Sequence, residues 1–243
     1  MIFSDHTAVV TGGRGALGEA IVRRFLDAGA RVAVPVRPAS PAHPSSHESH
    51  PGSPLRLTEP NLFEGRCDVT SEEDVHAFYN ATRDVCGDPD ILVHAAGGYA
   101  GGRRIEETSA GMWEAMLSTT LRSAYLFARE ALPGMRRKGF GRLVFVSAFT
   151  ALRPAAGSGA YAVSKRGLIT LVEVLAEEVK GTGITANAVA PTILRTEANR
   201  RAMPDGDAGL WVSVGELASA ILTLCSPESG GINGTTLTVR GGL

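Results

Sequence analysis

The sequence predicts a single α/β domain: a doubly wound parallel sheet with helices on both faces, in three α/β/α layers. Three observations point there. Short apolar or β-branched runs alternate with longer stretches of helical periodicity. The first such run leads straight into Gly13-Arg14-Gly15-Ala16-Leu17-Gly18, a glycine-rich turn between a strand and a helix. The 243 residues, 44% hydrophobic and 20% charged, suit one domain over residues 1–243 with a sizeable core.

Each element follows in order. Thr7–Val10 reads as the first strand. After the glycine turn, Ala20, Ile21, Phe25 and Leu26 recur at helical spacing, and Gly29 ends that helix. Arg31–Val36 is the second strand. A helix is due next, but Pro38–Pro60 is rich in Pro, Ser and His and reads as a polar surface loop. His43, His47 and His50 lie in it; the prolines between them oppose the helix that would align them, so no metal site is assigned. A third strand precedes Asp68-Val69, and Glu72–Val85 is helical. Ile91–His94, Arg142–Ser147 and Ile184–Val189 are further strands. Met112–Arg137 and Ala160–Lys180 are helices between them, the latter with a stripe of Leu168, Leu171, Val172, Leu175 and Val179. In such a sheet ligands bind outside the carboxyl ends of the strands.

Composition narrows the function. A formal net charge of −1 gives no global attraction for nucleic acid or an anionic membrane. Arg103-Arg104 and Arg136-Arg137-Lys138 read as solvated clusters. No apolar run approaches the roughly 18 residues of a membrane span, and the first strand begins too early for a signal peptide to precede it. Cys67, Cys86 and Cys225 are scattered, odd in number and form no CxxC, so buried thiols and a cytoplasmic location are expected.

The chemistry lies in two places. Gly13, Gly15 and Gly18 allow a tight turn and close backbone approach, and the following helix start presents amides to a pyrophosphate. An NAD site usually carries an acid about 20 residues after such a loop. Here that zone reads Val34-Pro35-Val36-Arg37, with a guanidinium and no carboxylate. Arg37, helped by Arg14, suits a 2′-phosphate, so NADP(H) is preferred and NAD(H) still admitted. Asp68 and Val69 are placed at the adenine, with a helix N-cap region as the other role of that segment. The second place is Tyr161-Ala162-Val163-Ser164-Lys165. Positions i and i+4 share a helix face, and an ammonium beside a phenol is expected to lower its pKa. Such a tyrosine can pass a proton while a nicotinamide passes a hydride.

Together these residues resemble the short-chain dehydrogenase/reductase family over essentially the whole chain. Thr11-Gly12 with Gly18 resembles the family's Thr-Gly-x-x-x-Gly-x-Gly loop, with Ala16 in place of one glycine. His94-Ala95-Ala96-Gly97 is similar to its Asn-Asn-Ala-Gly turn, and Tyr161 with Lys165 to its Tyr-x-x-x-Lys pair. Asn187-Ala188-Val189-Ala190-Pro191 with Thr196 resembles its nicotinamide-side loop, and Ile232-Asn233-Gly234 with Gly241-Gly242 its last strand and tail. The resemblance implies a Rossmann-type fold and an NAD(P)-dependent oxidoreductase. It places cofactor contacts at Gly12, Gly13, Arg14, Gly15, Leu17, Gly18, Ala95, Ala96, Gly97, Tyr161, Lys165, Pro191, Thr192, Ile193 and Thr196. It also implies a homodimer or homotetramer through the helices Met112–Arg137 and Ala160–Lys180.

Two catalytic positions depart from the family. Its active-site serine falls at Ala148, with Ser147 adjacent but on the opposite strand face unless the strand end twists. Its helix asparagine falls at Thr120. Gly12–Gly18, Ala96–Gly102 and Asn199–Pro204 are similar to the quinonoid dihydropteridine reductase branch, which also has alanine at the serine position. A small quinonoid, imine-like or carbonyl acceptor is therefore expected, with Tyr161 as general acid. The alternatives are a general carbonyl reductase or alcohol dehydrogenase of the 3-oxoacyl reductase kind, with Ser147 or water replacing the serine, and a dinucleotide-binding sensor. The segment from Arg195 to Asp207 is expected to be a substrate lid, with Met203 and Trp211 either lining the pocket or packing the lid.

Overall fold

The structure is a computed structural model that describes residues 2–37 and 60–242. Seven strands form one sheet: β1 (Thr7–Thr11), β2 (Arg31–Val36), β3 (Leu62–Arg66), β4 (Ile91–His94), β5 (Gly141–Val146), β6 (Ile184–Pro191) and β7 (Thr236–Val239). Their order across the sheet is β3-β2-β1-β4-β5-β6-β7, and every neighbouring pair is parallel. This is the expected three-layer Rossmann-type fold. The chain steps outward from β1 in one direction, then returns past it to β4, so β1 and β4 flank the switch point of the winding. The Pro38–Pro60 expectation, with His43, His47 and His50, lies outside the described residues except for Pro60.

The central strands are apolar because helices cover both faces. β1, β4, β5 and β6 are buried along their whole length. Alternate residues feed opposite layers. Val9, Leu92, Leu143 and Ala186 join one core with Phe78, Phe127, Leu168 and Val172. Ala8, Val10, Val93, Val144 and Val189 join the other with Ile21, Phe25, Leu217 and Ile221. The helices of the first layer are α2 (Glu72–Cys86), α4 (Ser123–Lys138) and α6 (Gly159–Glu178); those of the second are α1 (Ala16–Asp27) and α8 (Val214–Cys225).

Local signals explain where helices start. Ser71 accepts from the Asp74 amide, and Glu72, Glu73 and Asp74 complement the start of α2. Ser213 and Glu216 form a reciprocal capping box on α8. Cys67, Cys86 and Cys225 are buried free thiols.

One expected helix is broken. Instead of a continuous Met112–Arg137, the chain forms α3 (Ala110–Met116), a π-helical turn Leu117–Arg122, and then α4. Two hydroxyls bond back to the backbone at this break: Thr119 donates to the Ala115 carbonyl (2.7 Å), and Ser123 donates to the Thr119 carbonyl (2.7 Å). Such back-bonding slightly destabilises a helix. The widened turn directs Thr120 into the protein, where it is fully buried. The remaining short helices are α5 (Phe149–Leu152) and α7 (Glu197–Ala202).

Candidate active site

The site is assembled at the carboxyl ends of β1, β4, β5 and β6. At β1 the chain turns through Gly12, whose φ is +69°, a conformation that favours glycine. A Cβ on Gly18 would stand 2.0 Å from the Gly12 carbonyl oxygen, so the first turn of α1 can lie directly on the loop only with glycine there. Gly13 lies against the Val34 methyls, and Leu17 packs on the core beneath. The start of α1 at Gly15 has no side-chain cap among the described residues. By contrast, Ser71, Ser109, Thr196 and Ser213 cap α2, α3, α7 and α8. A helix start with uncapped amides beside bare glycines fits a pyrophosphate.

Thr11 joins the two sides of the switch point. Its Oγ1 accepts from the Ala95 amide (3.1 Å) and the Ala96 amide (2.9 Å), fixing the turn after β4 to the end of β1. Gly97 follows, and a Cβ there would lie 3.4 Å from Thr120 Oγ1 and 3.5 Å from Lys165 Nζ. Gly97, Thr120 and Lys165 therefore converge at one point. Thr120 Oγ1 is buried and has no hydrogen-bond partner among the described residues.

His94, just before this turn, is fully buried. Its Nε2 lies 3.0 Å from Ser123 Oγ. Ser123 spends its own proton on the Thr119 carbonyl, so His94 carries its proton on Nε2. Burial, reinforced by the charge of Lys165, pushes the imidazole down to about 3.

Tyr161 and Lys165 lie on the first turns of α6, as the spacing implied. Lys165 is buried, and its ammonium donates to the Val146 carbonyl at 2.6 Å. Burial pushes this amine down to about 8. The expected lowering of the tyrosine by Lys165 is corrected here. Burial, followed by the Tyr99 hydroxyl, pushes Tyr161 up to about 12. The physical reason is that Lys165 is directed to the end of β5, while the phenol sits among other side chains. Tyr99 meets it edge-on, with ring centroids 5.0 Å apart at 73°.

Ser147 does not stand free beside that phenol. Its hydroxyl donates to the Lys165 carbonyl (2.9 Å), and its amide donates to the Val189 carbonyl (2.8 Å). The serine thus ties β5 and β6 to α6. Ala148, where the family serine would be, is buried and extended at the start of α5.

The carboxyl ends of β2 and β3, where the sequence placed the adenosine, are less cationic than it implied. Arg37 is exposed at the end of β2. Partial burial works against ionising Asp68, but two Thr70 hydrogen bonds and the charge of Arg37 outweigh it and hold the carboxyl below its ordinary value. Val69, beside it, packs on the core. Arg14 is not an independent cation: its Nε and Nη2 fork onto Glu64 at 3.0 and 2.7 Å. At the opposite side of the site, Pro191 closes β6 and pairs with Val239, and the Thr192 hydroxyl donates to the Arg240 carbonyl (2.9 Å). The Ile193 carbonyl accepts from the Val212 amide (2.9 Å). Thr196 uses its hydroxyl to cap α7 at the Asn199 amide (3.2 Å). Trp211 is buried under Gly206, whose Cα hydrogen points at its ring, so it packs the segment after α7 onto the body.

Comparison with known proteins agrees with this geometry. Residues 13–243 match the family described as enoyl-(acyl carrier protein) reductase. The chain belongs to the short-chain dehydrogenase/reductase family. It is 30% identical to the 3-oxoacyl-[acyl-carrier-protein] reductase of Vibrio harveyi, over 100% of this chain and 99% of the relative. It is 29% identical to the acetoacetyl-CoA reductase of Allochromatium vinosum, over 97% of each. It is 25% identical to the D-beta-hydroxybutyrate dehydrogenase of Rhizobium meliloti, again over 97% of each. The chain is accordingly an NAD(P)-dependent oxidoreductase.

Sequence reasoning missed several contributors. The Thr11 clamp, the Tyr99–Tyr161 ring pair and the Glu64–Arg14 fork join residues far apart in the chain. Only the sheet register could have revealed Glu64, because β3 brings it level with Val34 on β2.

Proposed function

We propose that this protein is a reductase that prefers NADP(H) and accepts NAD(H), with Tyr161 giving a proton to a small carbonyl acceptor. The observation that carries the reading is the meeting of α6 with the turn after β4, which puts Lys165 against Gly97 beside the uncapped start of α1. When bound, the nicotinamide supplies the hydride. The chain's own part is to bind, orient and move a proton. Gly12, Gly13, Gly15 and Gly18 admit the pyrophosphate to the α1 amides; Leu17 supports that turn. Ala95, Ala96 and Gly97 line the near wall, and Pro191, Thr192, Ile193 and Thr196 the nicotinamide side. Asp68 and Val69 lie at the adenine, and Arg37 meets the 2′-phosphate. Lys165 holds the ribose hydroxyls. Tyr161 stays protonated at neutral pH, since burial raises it, so the proton to be given is in place but is held more tightly than by an acid matched to neutral pH. Ser147 holds β5 to α6 and so positions Lys165.

The relatives' names favour a 3-oxoacyl compound as the substrate class. Ala148 favours a second reading, a quinonoid or imine-like acceptor such as a dihydropterin, because no hydroxyl there would stabilise a developing alkoxide. A panel of 3-oxoacyl thioesters, simple ketones and quinonoid dihydropterin separates the two. Ala148→Ser sharpens the test. Under the second reading it raises turnover of ketones and leaves dihydropterin unchanged. Turnover of 3-oxoacyl thioesters by the unaltered enzyme, with no gain from the serine, establishes the first.

On the same reading the chain self-associates as a homodimer or homotetramer. Tyr125 on α4, with Val163 and Val174 on α6, leaves exposed apolar surface on the helices concerned. Among the described residues no helix is long and apolar enough to cross a membrane.

A further inference from the structure

Glu64 has no role in the scheme above, yet it is a carboxylate on β3 whose side chain is only 5% exposed. It reaches the cofactor loop through a short structural chain. Parallel pairing places Glu64 level with Val34 on β2. The Val34 methyls press against Gly13, and Arg14 is the next residue of the loop. Arg14 then closes on Glu64 side-on, through Nε at 3.0 Å and Nη2 at 2.7 Å. Among the described residues Nη1 and the outer hydrogen of Nη2 have no other partner.

Such a carboxylate cannot easily lose its partner. Glu64 is the buried member of the pair and Arg14 is 60% exposed; taking the arginine away would leave a largely buried carboxylate uncompensated, which is costly. Arg14 is therefore held in place, and much of its charge is already answered. Arg37, the other arginine at this end, faces Asp68. A 2′-phosphate arriving here meets two guanidinium groups, one already paired with Glu64 and the other near enough to Asp68 for its charge to be felt there. It must share Arg14 with an anion that does not leave.

We propose that Glu64 is a specificity-determining residue: by holding Arg14, it weakens the hold on a 2′-phosphate and so keeps NAD(H) competitive with NADP(H). This rests on the reading above that Arg37 and Arg14 lie at the adenosine ribose. Glu64 itself touches no substrate; it acts through Arg14.

The test is equilibrium binding, with no catalysis involved. Adenosine 2′,5′-bisphosphate and adenosine 5′-monophosphate are titrated calorimetrically into the purified enzyme and into Glu64→Gln. The substitution should tighten the bisphosphate by about tenfold, the scale of one charge interaction at a partly wet surface. The monophosphate should change by less than about twofold, since it lacks the group that Arg14 meets. A purely structural role for Glu64 would move both ligands together. Unchanged or weaker bisphosphate binding in the variant overturns the proposal; weaker binding would show instead that Glu64 braces Arg14 as a clamp. Glu64→Leu, which fills the buried space without charge, is the second variant should Glu64→Gln not fold, and the same direction is expected. The unaltered enzyme keeps the two ideas apart. If it binds both ligands equally and Glu64→Gln changes neither, the placement of the 2′-phosphate has failed. If it prefers the bisphosphate but the variant does not increase that preference, only the role of Glu64 has failed.

Discussion

At the scale of single residues the site depends on two groups whose ionisation is governed by burial. Tyr161 is raised to about 12 and Lys165 lowered to about 8. Tyr161→Phe removes the proton donor and leaves the ring, so turnover should fall by about 10²–10⁴-fold with cofactor affinity nearly unchanged. Single-turnover kinetics with NADPH measures this, and undiminished turnover would remove Tyr161 from the chemistry. The lysine makes a separate pH prediction. A lowered amine pKa means that the charged form is lost earlier as pH rises. The cofactor's ribose hydroxyls should therefore be held less well above about pH 8. A dissociation constant for NADPH measured from pH 6 to pH 10 should begin to rise near pH 8; a constant that stays flat up to pH 10, as the ordinary lysine value of 10.5 would give, would show that burial does not control this amine. The Tyr–Lys spacing was legible in the sequence because both residues belong to one helix. Their pKa values were not, because burial is set by residues such as Tyr99 and Val146 from other segments.

At the scale of elements, local patterns were read well and non-local ones poorly. Arg31–Val36 and Ile91–His94 coincide with β2 and β4, since strands covered on both faces are marked by unbroken apolar runs. The π turn at Leu117–Arg122 was invisible. The apolar spacing continues through it, and the hydroxyl-to-carbonyl bonds of Thr119 and Ser123 that accompany it are of a kind that α8 also carries without a break. The glycine loop allows a prediction at this scale. Gly18→Ala would set a methyl group about where the Gly12 carbonyl oxygen lies, which backbone on both sides cannot yield. The loop and the first turn of α1 must separate, displacing the amides proposed to receive the pyrophosphate. NADPH affinity should drop by at least about tenfold, with a loss of stability of roughly 1–3 kcal/mol, the usual cost of an overpacked site. Calorimetric titration and urea unfolding check the two effects. Unaltered binding would mean that the close approach is not what shapes the loop.

For the whole molecule, order along the chain was enough to reveal the sheet's winding, because strands alternating with helices leave few ways to wind a parallel sheet. Contacts between distant segments had to come from the folded chain, and His94 shows what such contacts do to global stability. Read alone, it is a polar residue at the end of a strand. In the fold it is enclosed by Phe127, Phe145 and Ser123, and it remains neutral down to about pH 3. Its folded pKa is thus depressed below the ordinary 6.5. Stability from the neutral ring is fully present above that value and is lost as pH falls. Below about pH 6.5 the unfolded chain binds a proton that the folded chain refuses, and each pH unit then costs roughly 1.4 kcal/mol until the folded ring itself titrates near pH 3. Between pH 7 and pH 5 this one group should remove about 2 kcal/mol of stability. His94→Asn keeps a donor for Ser123 and cannot titrate. Its urea-unfolding free energy should therefore decline less steeply over that interval, by about the same amount, whatever the absolute stability of the variant. Parallel pH profiles for the two proteins would mean that His94 takes up its proton without unfolding, and that the core around β4 and α4 is open enough to hydrate it.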